Sequence, residues 1–177
     1  MSTKLEHANL CVSDIDGMIK FLQTALPDFF IRHDEIDNDG DRWVHIGNDK
    51  TYIALYNSTQ KGSSGWTPYS GKPGVNHLGY MVDNVEQVRS RLRAAGYIES
   101  TVENHHPFRK RLYFYDPEGR DWKFVEYHSD DVNKRNDYNL PDMQVFLNWN
   151  SSIPFKSSCW INNYFRGKLC QKGCSRT

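Results

Sequence analysis

The chain has 177 residues, with 22 basic and 22 acidic side chains, 38% hydrophobic residues and a mean hydropathy of -0.74. That length suits one domain, the even charge argues against a general nucleic-acid or polyanion binder, and no apolar run approaches the roughly 20 residues of a spanning helix. The opening Met1-Ser2-Thr3-Lys4-Leu5-Glu6-His7 lacks the apolar core of a signal peptide, so the expected location is cytoplasmic, without a membrane or nucleic-acid partner.

The neutrality is a sum of unlike parts. From Ser129 onward seven Lys/Arg stand against four Asp, so this extension carries +3 and the first 128 residues carry −3. Three of the four cysteines, Cys159, Cys170 and Cys174, also lie in the extension, without the paired spacing of a zinc motif.

In chain order, Leu5-Glu6-His7-Ala8-Asn9-Leu10-Cys11-Val12 reads as a strand. Ile15, Met18 and Leu22 then give the i, i+3, i+7 spacing of one helix face, and Asp14 suits its N-cap. Three short strand-like runs follow at 29–36, 42–46 and 51–56, separated by Asn38-Asp39-Gly40 and Asn48-Asp49. A Ser/Gly/Pro-rich linker, 58–74, leads to a second copy of the pattern. Val75-Asn76-His77-Leu78-Gly79-Tyr80-Met81-Val82 superposes on the first strand without a gap at an offset of 70, placing His77 on His7. Val85, Val88 and Leu92 fall on Ile15, Met18 and Leu22; Asn84 or Asp83 suits the cap and Gly96 the helix end. Strand-like runs at 97–103, 111–115 and 122–128 complete this half, with Asp116-Pro117-Glu118-Gly119 as a sharp turn.

Such a repeat predicts an α+β fold of two paired βαβββ modules, 4–57 and 75–128, within a 1–128 domain that carries a 129–177 extension. Alternation along the strands predicts two faces. Ala8, Leu10, Val12, Ile53, Leu55, Leu78, Tyr80, Val82, Trp122 and Phe124 should pack beneath helices on the outer side. His7, Asn9, Cys11, Tyr52, Ala54, Tyr56, His77, Gly79, Met81, Lys123, Val125 and Tyr127 should line a cavity enclosed by a curved sheet. Cys11 is expected as a small buried thiol. Arg109-Lys110-Arg111 is a basic cluster placed at the cavity rim, and Trp66 with Tyr69 in the linker forms a candidate lid. The aromatic and Asn-rich extension, with Phe146, Trp149, Phe155, Trp160, Tyr164 and Phe165, is expected to dock on its own or a neighbouring subunit.

The first-strand segments around His7 and His77, together with Phe114-Tyr115-Asp116-Pro117-Glu118-Gly119-Arg120-Asp121-Trp122-Lys123-Phe124-Val125-Glu126-Tyr127, resemble the vicinal oxygen chelate superfamily. That superfamily includes glyoxalases, bleomycin-resistance proteins, fosfomycin-resistance enzymes and extradiol dioxygenases. The resemblance implies a cavity built from paired modules, a homodimer, and a divalent ion held by the first and last strands of each module. His7 and His77 match the two first-strand ligands. The last-strand positions carry Ala54 and Lys123 instead of acids, and Glu126 turns inward only if that strand is bulged. A lysine ammonium donates hydrogen bonds only and repels a cation, so the pair of imidazoles suits Zn²⁺ or Ni²⁺ better than Mn²⁺ or Fe²⁺.

The leading expectation is a protein of the bleomycin-resistance kind, binding a small polar or anionic molecule with a degenerate metal site. Its cavity residues would be His7, Asn9, Tyr52, Tyr56, Trp66, His77, Arg111, Lys123 and Tyr127. The alternatives are a metal-dependent lyase, isomerase or transferase resembling glyoxalase, and an interaction module built on the extension. The sequence leaves open whether the protein is an enzyme, and it names no catalytic residue.

Overall fold

In the computed structural model, the residues described are 3–57, 68–102 and 105–140. They lie in the first of two compact units, Met1–Gln144 and Val145–Thr177. The expectations for Trp66, for the linker up to residue 67, and for the extension beyond residue 140 fall outside the described residues.

The first module runs β1 (His7–Val12), α1 (Ile15–Ala25), β2 (Phe30–Ile36), β3 (Arg42–Gly47) and β4 (Tyr52–Asn57). Its sheet has the order β1-β4-β3-β2, with β1 parallel to β4. The second module runs β5 (His77–Met81), α2 (Val85–Ala94), β6 (Arg109–Tyr115) and β7 (Asp121–Tyr127), in the order β5-β7-β6. A short α3 (Val132–Arg135) follows.

Each helix forms where its sequence caps it. Asp14 accepts from the Gly17 N–H at 2.8 Å, and Asn84 accepts from the Gln87 N–H at 3.0 Å, so each satisfies an orphan donor in the first turn. α2 ends in a Schellman motif: Gly96 takes φ +84°, and the Tyr97 N–H reaches back to the Leu92 carbonyl at 3.0 Å. The repeat is also a packing repeat. Ile15, Met18 and Leu22 on α1, and Val85, Val88 and Leu92 on α2, are buried in one core with Val44, Ile46, Ile53, Leu55, Leu112, Phe114, Trp122 and Phe124. Phe21 ties the modules by meeting Tyr97 edge-on at 5.0 Å and Trp122 at 5.8 Å.

One expected strand is replaced by something looser. Of the expected run 97–103, the described residues 97–102 make a single bridge, Glu99 to Phe114, with two flanking backbone bonds from Ser100 to Tyr113 and from Tyr115 to Ile98. The Tyr113 N–H goes to the Thr101 hydroxyl at 2.8 Å, so a side chain takes the place of the next ladder bond. Glu99 is meanwhile drawn to Arg89 at 3.0 Å and Arg93 at 2.6 Å.

The modules are joined by polar contacts as well. The Glu118 carboxylate accepts from the Ser13 backbone N–H, the Ser13 hydroxyl and the Asp14 N–H, just ahead of α1. Arg120 donates to the Cys11 carbonyl at 2.7 Å. Arg91 of α2 donates to the Thr24 and Ala25 carbonyls at 2.9 and 2.8 Å, covering the C-terminal end of α1, where cations are favoured. None of the helices is long and apolar enough to cross a membrane, among the described residues.

Candidate functional site

Each sheet buries one face under the helices and leaves the other open. On the first module, register places His7 beside Tyr52, Asn9 beside Ala54 and Cys11 beside Tyr56. It also places Trp43 beside Tyr56 and His45 beside Ala54. His33 lies across from His45 after a bulge in β2. Tyr52 is the centre of this face: His7 stacks on it at 4.7 Å, the His45 ring lies tilted to it at 4.6 Å, and the Arg32 guanidinium lies 4.5 Å from its ring. Burial pushes the His45 imidazole below its ordinary pKa, and His33, Arg32 and His7 push the same way, so this ring is held neutral. Tyr56 donates to Asp41 at 2.6 Å; that carboxylate raises its phenol to about 12. Cys11 is exposed, not the buried thiol expected, because β1 turns it toward the open side.

The second face carries a different chemistry. β5 contributes His77, Gly79 and Met81; β7 contributes Asp121, Lys123, Val125 and Tyr127; β6 contributes Arg109, Arg111, Tyr113 and Tyr115. Gly79 leaves room for the Lys123 stem, whose Cδ would stand 3.7 Å from a Cβ there. Alternation divides the basic run: Lys110 points to the helix side and pairs with Glu86 at 2.6 Å, while Arg109 and Arg111 share the open face with Lys123. Arg109 is only 5% exposed. It donates to the Arg135 carbonyl at 3.1 Å, and Tyr138 covers its guanidinium at 4.3 Å. Its Nε has no partner among the described residues. Arg135 lies 5.0 Å from the Tyr127 ring, so the segment around α3 folds back over β6 and β7. Burial, then the positive charges of Arg111 and Arg109, push the Lys123 ammonium below its ordinary value, with Tyr138 opposing. Among the described residues, none of Arg109, Arg111 and Lys123 forms a salt bridge.

At the edge of this face stands a chain of hydrogen bonds that sequence reasoning did not contain. Ser100 donates to Asp121 at 2.6 Å, Tyr69 donates to the other Asp121 oxygen at 2.7 Å, and the Tyr69 oxygen lies 3.0 Å from His77 Nδ1. Tyr69 sits at φ +61°, the only described non-glycine residue with positive φ, and Asn76 holds its N–H at 2.9 Å. Burial lowers the His77 pKa, and Lys123 adds to this. Between the modules, a crevice of about 220 Å³ is lined by Leu10, Val75, His77, Leu78, Asp121 and Trp122.

The residues expected in the cavity thus fall into two groups. His7, Asn9, Tyr52 and Tyr56 share the first face, and His77, Arg111, Lys123 and Tyr127 share the second; the charges acting on each group come from its own module. Tyr69, expected with Trp66 as a lid, instead bonds Asp121 and His77, and His45, Trp43, Tyr113, Asp121 and Tyr138 are the additions. Alternation on β3 and β7 signals His45, Trp43 and Asp121, since Val44, Ile46 and Trp122 are core; nothing local signals Tyr138.

The donor set for a metal is poor in acids. β7 keeps an unbroken register, so Glu126 stays on the helix side, where its carboxylate accepts from the Val85 N–H at 3.0 Å. Asp121 has both oxygens engaged, and Lys123 and Ala54 stand at the remaining positions. His7 has only the neighbouring Glu6, which meets its Nδ1 at 2.9 Å, and His77 only the doubly engaged Asp121, a donor set too small for a hard ion such as Mn²⁺ or Fe²⁺. Among the described residues no group of three His, Cys, Asp or Glu side chains is arranged to hold a metal.

Comparison with known proteins agrees with the architecture. The model of the Glyoxalase/Bleomycin resistance protein/Dioxygenase superfamily matches residues 4–124. A glyoxylase/bleomycin resistance protein/dioxygenase domain from Frankia sp. EAN1pec is similar at 19% identity, with 76% of this chain and 98% of that one covered and a TM-score of 0.60. A variant of the fosfomycin resistance protein FosX from Listeria monocytogenes, complexed with Mn(II) and 1S,2S-dihydroxypropylphosphonic acid, is similar at 17% identity. It covers 77% of this chain and 99% of its own, with a TM-score of 0.57. A glyoxalase family protein from Enterococcus faecalis is 18% identical over 71% of this chain and 97% of that one, at a TM-score of 0.55. No curated protein matches the chain. At these identities the solved structures speak for the fold, and the family model, spanning most of the chain, supplies the rest: the protein belongs to the Glyoxalase/Bleomycin resistance protein/Dioxygenase superfamily.

Proposed function

We propose that the protein binds a small anionic molecule on the open face of its second module, in a sequestration or resistance role that requires no metal-dependent step. The observation that carries this reading is the trio Arg109, Arg111 and Lys123. Three cations on one face, without a salt bridge among the described residues, repel one another until an anion neutralises them. Arg109, almost wholly buried with an unpartnered Nε, is the most costly to leave so. FosX from Listeria monocytogenes is known in complex with a phosphonic acid and with sulfate, and an oxyanion of that size suits two guanidinium groups and an ammonium.

A homodimer belongs to the same proposal. Among the described residues Met81 on the second face is 70% exposed and Tyr56 on the first is 37% exposed, and apposing the aromatic face of one copy to the cationic face of another closes a pocket.

Calorimetric titration with methylphosphonate tests the reading. Binding should weaken about 10- to 100-fold in Lys123→Met and Arg111→Met, the loss expected for one charge-assisted hydrogen bond. Unchanged affinity in both variants, or stabilisation only by cationic compounds, would overturn it.

A further inference from the structure

We propose that Tyr69 and Asp121 lock His77 as the Nδ1–H tautomer, leaving a bare Nε2 that makes the cationic face selective for oxyanions still carrying a proton. The lock follows from counting hydrogens. Tyr69 has one O–H, and it goes to the Asp121 carboxylate at 2.7 Å, which accepts only. The 3.0 Å contact between the Tyr69 oxygen and His77 Nδ1 then requires the imidazole to be the donor. A neutral imidazole that donates through Nδ1 has its lone pair on Nε2, and no described residue donates to that atom.

Several features hold this arrangement rigid. Ser100 fixes the second Asp121 oxygen at 2.6 Å. Asn76 clamps the Tyr69 backbone at 2.9 Å in a left-handed conformation that a tyrosine rarely adopts; such strained positions persist where the surroundings enforce them. The Tyr113 ring meets His77 at 5.6 Å, nearly perpendicular, fixing the plane of the imidazole.

The consequence for the ligand rests on the anion-binding reading above. Lys123 lies across from Gly79 on the β5–β7 pair, diagonally next to His77 on the same face and close enough for its charge to act on the imidazole; one offers an acceptor and the other only donors. A tetrahedral anion bound there meets donors from Lys123 and Arg111 and an acceptor from His77. Hydrogen phosphate, or the monoanion of a phosphate monoester or of a phosphonate, satisfies all three with an O–H. Sulfate has the same shape but no proton, and leaves Nε2 unpaired against an oxygen.

Two measurements decide the matter on the full-length protein. Long-range ¹H–¹⁵N correlation spectra of ¹⁵N-histidine protein at neutral pH, with His77 assigned from His77→Gln, report the tautomer directly. Wild type should show Nδ1–H, and Tyr69→Phe, which removes one oxygen from a half-exposed residue, should move the ring toward Nε2–H. Asp121→Asn, able to donate to Tyr69 and turn its O–H toward His77, should do the same. Nε2–H in wild type, or no change in Tyr69→Phe, overturns the lock. Calorimetry with inorganic phosphate and sulfate at matched ionic strength then reads selectivity. Phosphate should bind at least about tenfold more tightly to wild type, with the ratio collapsing in Tyr69→Phe. Equal binding by wild type overturns the selectivity, whereas binding of neither anion overturns the anion reading, with the tautomer judged separately by the spectra.

Discussion

Glu118 holds the two modules at a fixed angle, and removing it should show how much that joint is worth. Its carboxylate is 17% exposed, accepts three hydrogen bonds from Ser13 and Asp14, and pairs with Arg120 at 2.8 Å. Hydrogen bonds to a charged acceptor are worth about 1.5–3 kcal/mol each, yet Ser13 and Asp14 lie at the surface, so water replaces much of what is lost. Glu118→Ala should therefore cost about 2 kcal/mol, and Glu118→Gln, which keeps a neutral acceptor, about 1 kcal/mol. With a urea slope of about 2 kcal/mol/M, the alanine variant should unfold about 1 M earlier than wild type. The pH dependence gives a second reading. Burial alone would raise the Glu118 pKa, but the Ser13 and Asp14 donors and the Arg120 charge outweigh it and hold the group below its ordinary value of 4.5. A depressed carboxylate contributes stability above its unfolded pKa and loses it as pH falls through the folded one, so the gap between wild type and Glu118→Gln should narrow on acidification below about pH 4.5. A midpoint within about 0.2 M of wild type in Glu118→Ala, or a gap independent of pH, would refute the reasoning.

Three further outcomes follow from the structure. Gly47→Ala should cost about 2 kcal/mol in urea melts, because a Cβ there would stand 2.2 Å from the Thr51 carbonyl oxygen and 2.5 Å from Tyr52 Cα, and only the backbone can give way. His45 is held neutral, so the unfolded chain takes up its proton first; urea midpoints should fall as pH drops through about 6.5, with a shallower slope in His45→Gln. Purified protein dialysed against Mn²⁺ should retain less than one equivalent by elemental analysis, unchanged in a His7→Ala, His77→Ala double variant, whereas Lys123→Glu should gain metal while losing methylphosphonate binding.

The fold was legible because a repeat states it twice. Met18 and Val88, or Leu22 and Leu92, gain their meaning from recurring at one offset, and the caps Asp14 and Asn84 formed where local chemistry put them. The failure at residues 97–102 is equally physical. Its alternation favours a strand, but Ser100, Thr101 and Glu99 carry side chains with better uses: a bond to Asp121, a bond replacing the ladder, and a pair of arginines. Pattern reads the two faces of a strand and does not weigh what its hydroxyl groups will prefer.

For the site, alternation reached one step and long-range folding took the next. It assigned Lys123 to the open side, and the same count through Trp122 and Phe124 assigns Asp121 to it as well; Asp121 matters only because Tyr69 arrives from the linker, eight residues ahead of His77. Arg109 shows the opposite case. Its position on a rim suggested a solvated cation, and it is buried because residues past the last strand return to place Tyr138 on its guanidinium. A carboxylate at 123 would have offset the positive charge that Arg111 and Arg109 put on this face; the lysine adds to it instead. The lysine at 123 and the burial of Arg109 therefore act in one direction, and each leaves positive charge on this face without a carboxylate partner among the described residues.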